Sequence, residues 1–389
     1  MNNYVQSYAL GGGRAIANTE REHRRETFVT GAKVDVDVML AAPVFFDLVL
    51  SDLDDTPRPG TEVRAGALSA SPGGSATVAV ATSRLGLRTL LAAPLGDDVY
   101  GRWCWEFLAN EENIDLHSSV LVPGWATPVT VSIATDGDRT MVTRHDPSPV
   151  PADDLLDDQV AARAALIELG GMSDGEAWWQ RAAAAGTQLF ADTGWDSTGR
   201  WDPADLDPLA SCFAFTPNAT EAMAYTRTDS PSAAARVLAD RVPLAVVTCG
   251  VDGAIGVDAA NGREVAVPAV PVDIGDATGA GDVFRAALLL GTLREWPLEQ
   301  RLAFAALCAA LAVERPGGAV AAPGWGDIAD WWTRTDDTAA REVRARYEFL
   351  TDVLPCEPRR RRSPRAAAFS DYPARTAAGS IPAPQKGTS

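Results

Sequence analysis

"VDIGDATGAGDVFRAALLLG", residues 272–291, changes character halfway along. The first half is small and glycine-rich between two aspartates, Asp276 and Asp282; the second is a run of strong helix formers. Gly279, Ala280 and Gly281 let a backbone approach a ligand closely and turn its N–H groups one way. A helix starting at Asp282 adds its positive N-terminal dipole at the same spot. The result is an anion hole, suited to the charge on a transferring phosphoryl group. An aspartate there has an evident task, accepting the proton of an attacking hydroxyl. The same residues also describe a plain Asp N-cap on a glycine-rich turn. Local physics leaves both readings open.

The rest of the chain narrows the choice. Its 389 residues suffice for one large α/β domain or two smaller ones. A hydrophobic share of 46% with 22% charged residues is that of a soluble globular protein. No apolar run is long enough to span a membrane and no secretion signal opens the chain, so a cytoplasmic location without a membrane partner is expected. Cys104, Cys212, Cys249, Cys308 and Cys356 are scattered with no CxxC pair, which argues for a reducing compartment and against a thiolate zinc site. Residues 353–389 carry a net +5 and residues 1–34 a net +2, against −18 for the whole chain, so the body between them is strongly acidic. Such a body repels nucleic-acid phosphates. The tail stretch "PRRRRSPR" (358–365) reads as a solvated end, and no nucleic-acid partner is expected.

The only lysines are Lys33 and Lys386, in the outlying segments. The body therefore lacks the lysine of a Walker A loop, of a protein kinase strand and of a pyridoxal Schiff base. The three histidines, His23, His117 and His145, form no HExxH, and there is no GxSxG elbow.

Residues 1–34 read as an irregular extension, 35–352 as the folded domain, and 353–389 as a disordered Arg/Pro/Ala-rich tail. "VDVDVMLAAPVFFDLVL" (34–50) reads as an opening strand, and 75–96 as a small-residue helix ending near Gly86 and then a strand. Residues 127–144 read as a hairpin around Asp136-Gly137. From 160 on, apolar runs at 165–170, 187–192, 212–218 and 244–250 alternate with helical stretches near 176–185, 219–226 and 231–241. That alternation indicates a parallel sheet covered on both faces. Helices are expected at 282–294 and 298–313.

Several motifs then fall in one order. "DATGAGDVF" (276–284) resembles the C-terminal signature of the ribokinase-like, or PfkB-type, carbohydrate kinases, D-T-x-G-A-G-D-x-F. "PGGSATVAVATSRLG" (72–86) resembles their N-terminal signature, and "LGDDVYG" (95–101) their G-x-D-x-x-G. "TPNATEA" (216–222) matches N-x-x-E, and "VTCGVDG" (247–253) resembles T-x-G-x-x-G. "APVFFD" (42–47) stands in the place of the first-strand G-x-x-x-x-D, with "RPG" (58–60) after it. The resemblance spans about residues 36–330. It implies a three-layer α/β/α sandwich with a mostly parallel central sheet and a small β-sheet lid, built from about 60–72 and 120–145.

The resemblance also implies roles. Asp282 is the general base, and the amides of Gly279, Ala280 and Gly281 form the anion hole for the γ-phosphate of ATP. Asn218 and Glu221 organise Mg²⁺ through its waters; Thr248, Gly250 and Gly253 line the nucleotide site. Asp47, Gly73, Gly74 and Thr77 face the acceptor. Asp276 and Thr278, with carbonyls around Arg315 and Gly317, match the place of a monovalent cation such as K⁺. A homodimer through the lids is also implied. Each position has a plainer reading beside it. Asn218 and Glu221 suit the N-cap and N3 of a helix, Asp47 an internal hydrogen bond in an apolar strand, and Gly73-Gly74 an ordinary loop. Arg144 and His145 read as surface residues. Three departures, Thr77 for the usual Asn, Ala42 for the first-strand Gly and Pro72 for the first Gly of a pair, lie on the acceptor side. The reaction expected is phosphoryl transfer from Mg·ATP to a hydroxyl of a small sugar or sugar-like molecule. The alternatives are a nucleoside kinase of the same fold, or a non-catalytic sugar- or nucleotide-binding regulatory protein.

Overall fold

The computed structural model describes residues 34–356 apart from 136–137, 157–159, 170–176, 195, 197, 316 and 339–340. The N-terminal extension up to 33, the Arg-rich stretch, both lysines and the hairpin dipeptide Asp136-Gly137 lie outside the described residues.

The opening apolar stretch forms two strands instead of one. β1 (Val34–Ala41) and β2 (Val44–Leu53) are separated by Ala42-Pro43 and belong to different sheets. Pro43 has no N–H to give a ladder, so the chain leaves the first sheet there. The element order continues with β3 (Ala65–Gly74), α1 (Ser75–Arg84), β4 (Thr89–Ala92), β5 (Pro94–Gly96), α2 (Val99–Glu106), β6 (Val120–Val122), β7 (Val129–Thr135) and β8 (Asp138–Arg144). Next come β9 (Val160–Glu168), α3 (Trp178–Ala184), β10 (Gln188–Asp192), β11 (Ala214–Phe215), α4 (Ala219–Thr226), α5 (Pro231–Ala239), β12 (Leu244–Thr248), β13 (Ala254–Asp258) and β14 (Arg263–Val267). The described chain ends with α6 (Ala280–Leu293), α7 (Leu298–Val313) and further helices from Trp325.

The large sheet runs β14-β13-β12-β11-β10-β9-β1-β4, parallel from β4 to β12 and antiparallel at β13 and β14. Both faces are buried. Val38 and Leu40 of β1 pack with α1, α6 and α7, whereas Met39 and Ala41 pack with α3, α4 and α5. Three layers follow from that division. α6 carries consecutive fully buried residues from Ala286 to Leu290, as a helix clamped between sheet, α1 and α7 must.

A second sheet, β3-β2-β7-β8, stands beside the first. Of the expected lid segments, 60–72 and 120–145, it takes β3, β7 and β8, but it also takes β2. Residues 120–122 pair with β5 in a separate ladder instead. Among the described residues, no helix is long and apolar enough to cross a membrane.

Candidate active site

The C-terminal edge of the parallel strands meets the second sheet where the opening motif turns into α6. The helix begins at Ala280, not Asp282: Gly279 is its N-cap at φ +78°, and no side chain caps it. Asp282 is therefore not the N-cap, and its carboxylate is left for other work. The Ala280 amide is spent on the Ala277 carbonyl at 3.3 Å. The amides of Gly279, Gly281 and Asp282 have no protein acceptor among the described residues. The turn thus has free N–H groups at Gly279 and Gly281 but not at Ala280, with that of Asp282 in addition.

Asp276 holds this turn in place. It is 5% exposed. Its Oδ1 accepts the amide and hydroxyl of Thr278 at 2.9 and 2.6 Å, and its Oδ2 accepts the Gly317 amide at 3.3 Å. The amides of Gly275 and Asp276 both donate to the Val313 carbonyl. Thr278 and Gly317 therefore do meet at Asp276, while Arg315 is exposed.

Thr77, buried in α1, faces the turn. A Cβ on Gly279 would come within 2.8 Å of the Thr77 Cγ2, so glycine is required by contact as well as by φ. Gly74 caps α1 at φ +61°, and Ser75 anchors that helix by donating its hydroxyl to the carbonyls of Ala42 and Pro43 at 3.0 and 2.9 Å. Asp47, in β2, pairs in register with Ser71 and Thr130. A Cβ on Gly73 would fall 1.8 Å from its Oδ2, so the carboxylate lies directly over the Gly73 backbone. Burial pushes the Asp47 carboxyl up to about 6 against a hydrogen bond from Thr130, and the charges of Asp282 and Asp276 push the same way. Asp47, Gly73, Thr77, Gly279 and Asp282 are thus neighbours.

Across the edge, Asn218 and Glu221 form a reciprocal capping box at the start of α4, with bonds of 3.0 and 2.9 Å. The plainer reading of the pair is therefore realised. The Asn218 amide thereby donates to the Glu221 carboxylate, and the Asn218 side chain and the charge of Arg285 also act on it. Asn218 bridges to Thr248 at the end of β12, whose amide donates to the Pro217 carbonyl. Gly250 at φ +57° and Gly253 at φ +94° turn the chain just beyond; a Cβ on Gly253 would meet the Val267 carbonyl oxygen at 2.0 Å. Arg144 and His145 are exposed, and Arg144 pairs with Asp146 at 2.6 Å. Among the described residues, no group of three or more His, Cys, Asp or Glu side chains is placed to hold a metal.

Sequence reasoning missed the group that ties these pieces together. Arg285, one turn along α6, bonds Asp282 and also Asp192 at 2.6 Å, with only 18% of its side chain exposed. The charges of Asp192, Asp282 and Glu168 hold the guanidinium protonated despite burial. Burial pushes Asp192 up, Glu221 and Asp282 add to that, and Arg285 pulls it back. The 2.6 Å contact with a permanent cation favours the ionised carboxylate. The signal was present in each stretch: Arg285 is the one charge within "VFRAALLLG", and Asp192 and Glu168 end apolar strand runs.

Comparison with known proteins gives the family and the fold. The pfkB family carbohydrate kinase model matches residues 42–324. A nucleoside kinase of Methanothermobacter thermautotrophicus is 28% identical over 311 residues, 77% of this chain and 96% of that one. Fructokinase-1 of Zea mays is 26% identical over 322 residues, 72% of this chain and 94% of that one. Among solved structures, the ribokinase of Arabidopsis thaliana complexed with ribose and ATP superposes with a TM-score of 0.61 at 19% identity, covering 76% of this chain and 98% of that one. The nucleoside kinase of Methanocaldococcus jannaschii gives 0.60 at 16% identity, covering 79% and 100%. The sandwich described above is the ribokinase fold.

Proposed function

Because the chain belongs to the PfkB family of carbohydrate kinases, we propose that it moves the γ-phosphate of ATP to a hydroxyl of a small sugar or sugar-like molecule. The observation that supports this most is the Gly279–Asp282 turn: free amides beside a carboxylate that caps nothing. In this reading Asp282 takes the acceptor's hydroxyl proton while that oxygen bonds to the γ-phosphorus. The bond from the γ-phosphorus to the bridging oxygen breaks, and ADP leaves with the electron pair. The Gly279, Gly281 and Asp282 amides hold the charge on the transferring group.

Asp47 and Gly73 orient the acceptor against Asp282, with Thr77 behind the turn. Thr248, Gly250 and Gly253 form the nucleotide side. The carboxylate of Glu221, steadied by Asn218, suits a hydrated Mg²⁺, a hard cation that keeps much of its water. When bound, that ion neutralises phosphate charge. Asp276 spends both carboxylate oxygens on protein donors, which leaves peptide carbonyls near Gly317 as ligands for a monovalent cation. The second sheet acts as the lid that excludes water from the acceptor. Its exposed Leu68, Met141 and Val142 are the surface through which two copies pair.

An ADP-release assay over a panel of sugars, sugar acids and nucleosides tests the reading. ADP formation that needs both Mg²⁺ and one class of acceptor is the expected result. A folded protein that binds ATP but releases no more ADP with any acceptor than without would overturn it in favour of a binding protein.

A further inference from the structure

The stretch "PGGSATVAVATSRLG" (72–86) carries one charge, Arg84, at the far end of α1 and about 10 Å along the helix from Thr77. Its side chain is only 9% exposed. Nε and Nη2 donate to the two carboxylate oxygens of Glu112, at 2.9 and 2.6 Å, and that carboxylate is buried as well. Nη1 donates to two backbone carbonyls, those of Val320 at 2.9 Å and Ala322 at 2.6 Å. The fork on Glu112 fixes the plane of the guanidinium, so Nη1 is aimed at both carbonyls at once.

Those carbonyls belong to a compact turn. The Val320 amide donates to the Gly317 carbonyl and the Ala322 amide to that of Ala319, each at 3.2 Å, so residues 317–322 form one piece. The other end of the piece meets the reaction centre. The Gly317 amide donates to Asp276 Oδ2, whose Oδ1 holds Thr278. The Gly318 carbonyl carbon lies 3.8 Å from where a Cβ on Gly279 would stand. Helix α1 therefore brackets the Gly279–Asp282 turn: Thr77 at its start packs against Gly279, and Arg84 at its end reaches the turn through 317–322.

We propose that Arg84 is a positioning residue for that turn, fixing Asp276 through the 317–322 piece and with it the free amides of Gly279, Gly281 and Asp282. Its kinetic effect rests on the kinase reading; the link from Arg84 to the turn does not.

A role confined to stability is separated by variants in which stability and position move in opposite directions. Glu112→Gln removes the charge partner but leaves Nη1 on its two carbonyls, so the melting temperature is expected to fall while kcat stays within about twofold. Arg84→Met with Glu112→Met leaves no buried charge unpaired and is expected to melt above Glu112→Gln. Its carbonyls have lost their donor, so kcat is expected to fall about tenfold or more, with both KM values nearly unchanged. Hydrogen exchange reads the link without turnover: in the double variant the bonded amides of Asp276, Thr278 and Val283 are expected to exchange faster, and those of α4 to stay as they were. Arg84→Lys, whose single ammonium cannot serve the carboxylate and both carbonyls, carries the same expectations where the double variant does not fold. A kcat that follows the melting temperature across the variants, or unchanged exchange at Asp276, Thr278 and Val283, would overturn the assignment. A natural chain without turnover would count against the kinase reading and leave the exchange measurement to decide the link.

Discussion

Asp282 and Arg285 are three residues apart on one helix, yet only the first could be understood from its neighbours in the chain. The Gly-Ala-Gly turn that gives Asp282 its setting is local, whereas Asp192, which shares Arg285 with it, arrives from the end of another strand. The pairing makes a prediction. In Arg285→Met two carboxylates lose their common cation; breaking such a buried pair costs about 3–5 kcal/mol of stability. Asp192 and Asp282 then repel, one keeps its proton to higher pH, and the acid limb of kcat moves up. Adding Asp192→Asn is expected to return much of that shift, which a merely destabilised fold would not do; thermal melts and kcat–pH profiles of the single and double variants check it. Asp47 gives a second pH effect. An acceptor hydroxyl donates best to an ionised carboxylate, and Asp47 holds its proton up to about pH 6. The KM for the acceptor is therefore expected to rise as pH falls through 6, with the KM for ATP nearly flat, and Asp47→Asn is expected to remove that dependence while raising the acceptor KM at every pH.

Among the elements, the alternating helices and strands from 160 onward were legible because parallel strands buried on both faces read as continuous apolar runs. β13 and β14 were not anticipated, and β11 shrank to two residues. The opening stretch misled for a physical reason. Both sheets want the same apolar, β-branched residues, so nothing but Pro43 marks where β1 ends and the lid begins. Asp47 thereby moved from the body into the second sheet. The start of α6 moved as well, by two residues, and that small change turned Asp282 from a cap into a first-turn carboxylate paired with Arg285. Gly279→Ala tests the turn as an element. It places a Cβ at φ +78° and 2.8 Å from Thr77, so the backbone must shift and the free amides with it. A loss of about 10²–10³-fold in kcat is expected, the usual cost of one misplaced donor. Gly281, with open space around its Cβ position, is the control: Gly281→Ala is expected to keep most of that activity. Equal losses in the two variants would show that the geometry at Gly279 is not what matters.

For the whole molecule, the fold sets two helix N-termini, those of α4 and α6, at one edge of a sheet and stands a second sheet beside them. The order of the motifs carried that architecture, although they are scattered from 42 to 284 in the chain and fall in strands, turns and helix starts alike. The distances between them were beyond the sequence, because they depend on strand order and on which face of a helix a residue takes. The nature of the acceptor was equally beyond it, because the departures at Ala42, Pro72 and Thr77 fall among the residues proposed to face it. The claim that joins all of this is that Asp282 is the base of a phosphoryl transfer. It is tested most directly by comparing Asp282→Asn with the natural chain in nucleotide binding and in single-turnover phosphorylation of the preferred acceptor. The account predicts nearly unchanged ATP affinity and a transfer rate lower by about 10²–10⁴-fold. A variant that keeps more than about a tenth of the natural single-turnover rate would contradict it.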